Sequence, residues 1–125
     1  MNQRILLVDD NIKVRSNLLS ELTKMDYLVI EASDGLDGLK KANQYDVDCC
    51  LIDYKMPIMD GVILCKNLRK LAKYKHTPIY IMTTEKNEQL INQAKKYNVQ
   101  VVLEKPISSS LLLSVIGEGL NDKIA

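Results

Sequence analysis

The sequence has no tryptophan and no phenylalanine, a single histidine, three cysteines and three prolines. Each scarcity excludes something. One histidine, His76, set in a lysine-rich stretch, leaves no Ser/His/Asp arrangement for nucleophilic catalysis, and it reads as a solvent-exposed loop residue. Three cysteines are too few, and odd in number, for a disulfide framework; Cys49 and Cys50 sit inside an apolar run and read as buried thiols of a reducing compartment. No apolar run approaches the ~20 residues of a membrane helix. The start MNQRILLVDD turns acidic too soon for a secretory signal. No glycine-rich phosphate loop follows the first apolar run, which argues against nucleotide binding. What remains is a chain of 125 residues, 46% hydrophobic and 26% charged, the size of one domain. The expectation is one soluble, cytoplasmic domain spanning residues 1–125.

The net charge of +1 conceals an asymmetry. Residues 1–60 carry 11 acidic and 7 basic side chains, residues 61–125 carry 5 and 10. Between Gly61 and Thr84 there are five Lys or Arg and no carboxylate. Such a stretch suits an acidic partner or, more simply, a solvated helix face. No aromatic array accompanies it, so direct nucleic-acid binding is not expected.

Apolar patterning alternates strand with helix. Ile5–Val8 is a short apolar run ended by two aspartates, as in a parallel strand buried on both faces. Ile12, Leu18, Leu19, Leu22 and Met25 follow at helical spacing, with Asp10 or Asn11 as cap. Further strands are expected at 27–30, 47–52, 78–82 and 99–103. Helices are expected at 35–44, 61–73 and 86–97, and one from Ser108 onward. The proline opening the fourth strand stands where no ladder donor is lost. Five strands separated by helices imply an α/β fold, a doubly wound parallel sheet covered on both faces. Ligands of such sheets bind outside the carboxyl ends of the strands.

Those ends carry Asp9-Asp10, Asp53, Thr83-Thr84 and Glu104-Lys105-Pro106. Taken singly, each aspartate is a helix cap or a solvated carboxylate. Brought together, three carboxylates raise one another's pKa unless a cation offsets them. Oxygen ligands with room for water suit Mg²⁺. A hydroxyl and an ammonium beside them supply donors to an oxyanion. The set looks built for Mg²⁺-assisted phosphoryl transfer, with Asp53 as the carboxylate that becomes the nucleophile.

At LLVDD (6–10), LIDYKMPIMDG (51–61), PIYIMTT (78–84) and LEKPI (103–107) the chain resembles the receiver domains of two-component response regulators, over essentially its whole length. The resemblance implies a flavodoxin-like or CheY-like (βα)5 fold with strand order 2-1-3-4-5. It implies that Asp53 accepts a phosphoryl group from a sensor histidine kinase or phosphotransfer protein. Asp10 would bind Mg²⁺ directly and Asp9 mainly through water, with the main-chain carbonyl of Lys55 as a further ligand. Thr83 and Lys105 would bond the phosphoryl oxygens, and the Lys105–Pro106 peptide would be cis. Output would pass through the face formed by the fourth helix, the fifth strand and the fifth helix, to a partner or to an effector domain beyond Ala125. The domain would be a monomer or a phosphorylation-dependent dimer, away from membranes, and not a turnover enzyme.

Four departures stand out. Val102 occupies a position often aromatic in relatives, Ile107 one usually phenylalanine, Asn98 one often glycine, and Thr84 one often alanine. Lys55 and Glu85 are placed to pair across the pocket mouth, either slowing phosphate loss by blocking in-line water or forming only a weak surface ion pair. Two other readings compete. A haloacid-dehalogenase-like phosphatase favours D-x-D, but Lys55 stands where its second Asp belongs. A pseudo-receiver would bind partners without phosphate.

Overall fold

The computed structural model describes residues 2–124, with side chains described through Leu120. Five parallel strands, β1 (Arg4–Val8), β2 (Leu28–Ala32), β3 (Cys49–Asp53), β4 (Ile79–Thr83) and β5 (Val101–Glu104), form one sheet in the order β2-β1-β3-β4-β5. They alternate with α1 (Ile12–Lys24), α2 (Gly35–Gln44), α3 (Gly61–Arg69), α4 (Glu88–Lys95) and α5 (Ser109–Ile124). The expected fold class and strand order are those observed.

The two-residue period of the strands divides the core. Ile5, Leu7, Cys49, Leu51, Tyr80 and Met82 face α1 and α5, meeting Leu18, Leu22, Leu112 and Ile116. Leu6, Val8, Cys50, Ile52, Ile79 and Ile81 face α2, α3 and α4, meeting Ala42, Leu64, Leu68, Leu90 and Ala94. Because both faces are covered, β1, β3 and β4 read as unbroken apolar runs. Each fully buried aliphatic side chain contributes about 1.5–3 kcal/mol. The three cysteines are buried within these layers and form no disulfide.

The helices begin at the carboxyl ends of the strands, and each start is capped by the preceding side chain. Asn11 accepts from Val14 N, Asp34 from Asp37 N, Asp60 from Ile63 N and Asn87 from Leu90 N, while Ser108 accepts from Leu111 N. Such caps are worth about 1 kcal/mol each. They also bring the positive ends of the helix dipoles to one rim of the sheet, where an anion is favoured.

Several local expectations need correction. Ile12 is 73% exposed and not part of the α1 core stripe; as the first helical residue it projects beyond the layer that Leu18 and Leu22 fill. The third helix stops at Arg69, four residues early, and a 3-10 turn at Ala72–Tyr74 follows. Arg69, the last residue of α3, is no solvated cation. Its guanidinium donates to the carbonyls of Tyr74 (2.7 Å), Thr77 (2.8 Å), Tyr97 (2.8 Å) and Asn98 (3.0 Å), tying the loop after α3 to the turn after α4. The basic stretch is thus only partly a solvated face. Asn98 adopts φ 55°, the left-handed conformation its amide tolerates. His76 is exposed, as expected. Among the described residues no helix is long and apolar enough to cross a membrane.

Candidate functional site

β1, β3, β4 and β5 deliver the expected residues to one rim. Asp53 ends β3 in register with Met82, Thr83 ends β4 opposite Glu104, and Lys105 follows directly on β5. Asp9 follows β1 and is fully buried, whereas Asp10, the next residue, is exposed. One carboxylate oxygen from each of Asp9, Asp10 and Asp53 lies within 4.8 Å of the others. The Lys105 ammonium bridges two of the three, 2.8 Å from Asp53 Oδ1 and 3.0 Å from Asp9 Oδ2. Asp9 Oδ1 accepts from the Asn11 amide at 2.9 Å. Asp10 has no hydrogen bond or ion pair among the described residues.

The electrostatics follow from this crowding. Burial pushes the Asp53 pKa above the ordinary carboxylate value; Lys105 opposes the shift, and the neighbouring Asp9 and Asp10 add to it. Burial works against the Lys105 charge, yet the bonds to Asp53 and Asp9 outweigh it and raise its pKa. One ammonium pairs with Asp9 and Asp53 while Asp10 has no such partner among the described residues, which leaves the cluster net negative. Two fixed carboxylates and a third open to solvent suit a hard dication that keeps part of its water shell.

Thr83 is buried, and its hydroxyl accepts from the Glu85 amide at 3.1 Å, so the β4–α4 loop turns on this side chain. Its carbonyl takes the Lys105 amide at 2.7 Å, joining the two expected oxyanion donors through the main chain. The Lys105–Pro106 peptide is cis. Thr84 is exposed and lines a cleft of about 350 Å³ with Val14, Leu18, Lys105 and Pro106. Val102 is buried against the α4 side of the sheet, paired with Ile81, and cannot swing as a ring would.

The expected pairing of Lys55 with Glu85 is absent: both are exposed, and no ion pair joins them among the described residues. In the loop after Asp53, Ile58 has φ 70° and lies between the Met59 amide and the Pro57 carbonyl, bonded at 2.7 Å. Gly61 lets α3 begin hard against this loop: a Cβ there would lie 2.6 Å from the Asp53 carbonyl oxygen. Arg15 is a further residue beside the cluster. Its guanidinium donates to the Asp9 carbonyl at 2.6 Å and meets Glu31 at 3.3 Å, directly behind the acidic cluster. In sequence it is one more polar residue on an amphipathic helix, and nothing there separates it from a solvated arginine.

Residues 5–117 match the response regulator receiver domain family. Chemotaxis protein CheY-3 of Vibrio cholerae is 34% identical over 114 residues, covering 89% of this chain and 86% of that protein. A segment of the sensor histidine kinase TmoS of Ectopseudomonas mendocina is 30% identical over 122 residues, covering 98% of this chain and 12% of the kinase. The crystal structure of Vibrio cholerae chemotaxis protein CheY4 superposes with a TM-score of 0.92 at 31% identity, covering 95% of this chain and 99% of that one. With the matched sequence, the strand order and the rim of acids and lysine in agreement, the chain belongs to the response regulator receiver domain family of two-component signalling.

Proposed function

We propose that Asp53 accepts a phosphoryl group from the phosphohistidine of a sensor kinase or phosphotransfer protein, and that the product resets the surface around α4, β5 and α5. The observation that carries this reading is the convergence of Asp9, Asp10 and Asp53 within 4.8 Å around the Lys105 ammonium. Asp10 and Asp53, Asp9 through water, and the Lys55 main-chain carbonyl would hold Mg²⁺. The ion, when bound, supplies positive charge against the negative oxygens of donor and acceptor.

The chain's own residues account for the rest. A carboxylate oxygen of Asp53 attacks phosphorus, the bond from phosphorus to the donor nitrogen breaks, and its electron pair stays with the leaving imidazole. Lys105 shifts its donors from the carboxylates toward the phosphoryl oxygens. The site's work is positioning and charge compensation, which is most of what phosphoryl transfer requires. The acceptor changes from a charge of about −1 to about −2. Thr83 then releases the Glu85 amide and follows the new oxygens, drawing the β4–α4 loop inward. Moving a two-state surface from 1:99 to 99:1 takes about 5.5 kcal/mol. Two or three charge-assisted hydrogen bonds of about 1.5–3 kcal/mol each supply that amount.

This reading makes the domain a cytoplasmic signalling module that loses its phosphate by hydrolysis and does not turn over an external substrate. It acts alone or within a longer protein. The test is incubation with acetyl phosphate and Mg²⁺, followed by intact mass. One phosphoryl adduct is expected, lost in Asp53→Asn and without added Mg²⁺. An adduct that survives in Asp53→Asn overturns the assignment.

A further inference from the structure

We propose that Arg15 is a positioning residue for the divalent-cation site, acting on Asp10 through the main chain of the β1–α1 turn. The inference rests on the reading of the acidic cluster given above.

Arg15 lies one turn into α1 with its side chain only 17% exposed. One arm of the guanidinium donates to the Asp9 carbonyl at 2.6 Å, and Nε faces Glu31 on β2 at 3.3 Å. The Asp9 carbonyl belongs to the peptide that joins Asp9 to Asp10. Holding that oxygen fixes the rotation of the peptide plane, and so the direction in which the Asp10 side chain leaves the backbone. The two carboxylates depend on this differently. Asp9 is already fixed by the Asn11 amide and by Lys105. Asp10 has no partner of its own among the described residues, so its aim toward Asp9 and Asp53 is set by the backbone that Arg15 grips.

Glu31 keeps the gripping group in place. Its carbonyl takes the Lys41 ammonium at 2.6 Å, and Lys41 is in turn 3.3 Å from Asp37. A planar fork reaching a carbonyl and a carboxylate in two directions at once is a task for arginine; lysine offers a point charge.

The electrostatic sign makes the inference sharp. A cation behind a cluster of carboxylates repels an incoming dication, so removing it should tighten Mg²⁺ binding if charge were all that mattered. If Arg15 orients Asp10, removing it should weaken binding instead. The two accounts predict opposite directions for one measurement.

The experiment is a Mg²⁺ titration of the full chain, followed by calorimetry. Arg15→Ala should weaken Mg²⁺ binding about tenfold, the size seen when groups that orient a metal ligand are lost. Arg15→Lys should show a smaller loss. Glu31→Gln, which keeps the bond to the Asp9 carbonyl, should bind nearly as wild type. Amide exchange of the metal-free protein should quicken at Asp10 and Asn11 in Arg15→Lys and not in Glu31→Gln, a readout available even if Arg15→Ala folds poorly. Equal or tighter Mg²⁺ binding in the Arg15 variants, with unchanged exchange at those amides, overturns the inference alone. A wild-type chain without saturable Mg²⁺ binding overturns the preceding reading and this inference together.

Discussion

Replacing Gly61 with alanine adds one methyl group, and the site geometry determines what that does. No glycine in the described residues has positive φ, so the backbone at Gly61 accepts any residue; the demand is for space. The new Cβ would lie 2.6 Å from the Asp53 carbonyl oxygen, 3.0 Å from Tyr54 Cα and 3.2 Å from the Asp53 carbonyl carbon. All three are backbone atoms and cannot rotate aside. Reaching an ordinary contact of 3.4 Å needs a shift of about 0.8 Å in the Asp53–Tyr54 peptide or in the start of α3. That peptide is already pinned, since the Gly61 amide bonds the Tyr54 carbonyl and the Tyr54 amide bonds the Met82 carbonyl, each at 2.8 Å. Overpacking costs about 1–3 kcal/mol. Loss of glycine's unfolded-state freedom returns about 0.5–1 kcal/mol. The net is a destabilisation of at most about 2.5 kcal/mol, centred on about 1, which a domain stable by about 5–15 kcal/mol survives. Function should suffer more, because displacing a reacting group by about 1 Å costs on the order of a hundredfold in rate. The expected result is a folded Gly61→Ala protein, a few degrees lower in Tm, labelled by acetyl phosphate at least thirtyfold more slowly, by the same geometric argument. Labelling within about threefold of wild type at unchanged Tm would refute the reasoning that α3 packs against the acceptor's own peptide.

Lys105→Ala leaves the buried Asp9 and Asp53 without their shared cation; the metal-free protein should lose about 1–3 kcal/mol. Denaturant titrations with and without saturating Mg²⁺ should show the ion restoring part of the loss, and an unchanged midpoint would contradict the pairing. For Asp53 the folded pKa lies above the unfolded one, so the folded state holds the proton more tightly and stability falls as pH rises from the ordinary carboxylate range through the folded pKa. Metal-free Asp53→Asn should therefore melt higher than wild type at neutral pH, with the gain vanishing at about pH 4 and below, where both forms are uncharged; a lower Tm at neutral pH would reverse the sign. Ile58, fully exposed at φ 70°, gains nothing from packing to offset a strain of about 1–2 kcal/mol. Ile58→Asn should raise stability by about 0.5–1 kcal/mol without altering labelling by acetyl phosphate, as a chemical-denaturation curve will decide.

The strands were legible in the sequence because a sheet buried on both faces forbids polar interruption. β1, β3 and β4 stand out for that reason, while apolar patterning places the edge strand β2 one or two residues early because Tyr27 extends its apolar run. The same patterning puts Val47 in β3, although its amide faces the Tyr74 hydroxyl and the ladder begins at Cys49. The acceptor, the acidic pair and the lysine were legible because strand ends in a parallel sheet converge, so residues far apart in sequence share a rim. Arg15 and Arg69 were not. A guanidinium in water and one on four carbonyls have the same hydropathy and the same helical spacing, and only tertiary placement separates them. The Lys55–Glu85 pairing failed for a related reason: opposite charges near one pocket need not meet when both remain hydrated.

Arg69 has one more consequence. By holding the Tyr97 and Asn98 carbonyls it anchors the far end of α4, while the near end starts at Asn87, two residues past the Glu85 amide that Thr83 holds. Eight helical residues make a rod about 12 Å long, packed on the sheet through Leu90 and Ala94 and tied by main-chain hydrogen bonds at its far tip. The hypothesis that follows is a lever whose fulcrum is Asn98: a sub-ångström tug at the loop would swing the opposite tip through the widest arc. Phosphorylation-induced shifts measured amide by amide should then shrink steadily from Asn87 toward Lys95, and a uniform displacement along α4 would mean that the rod slides without pivoting.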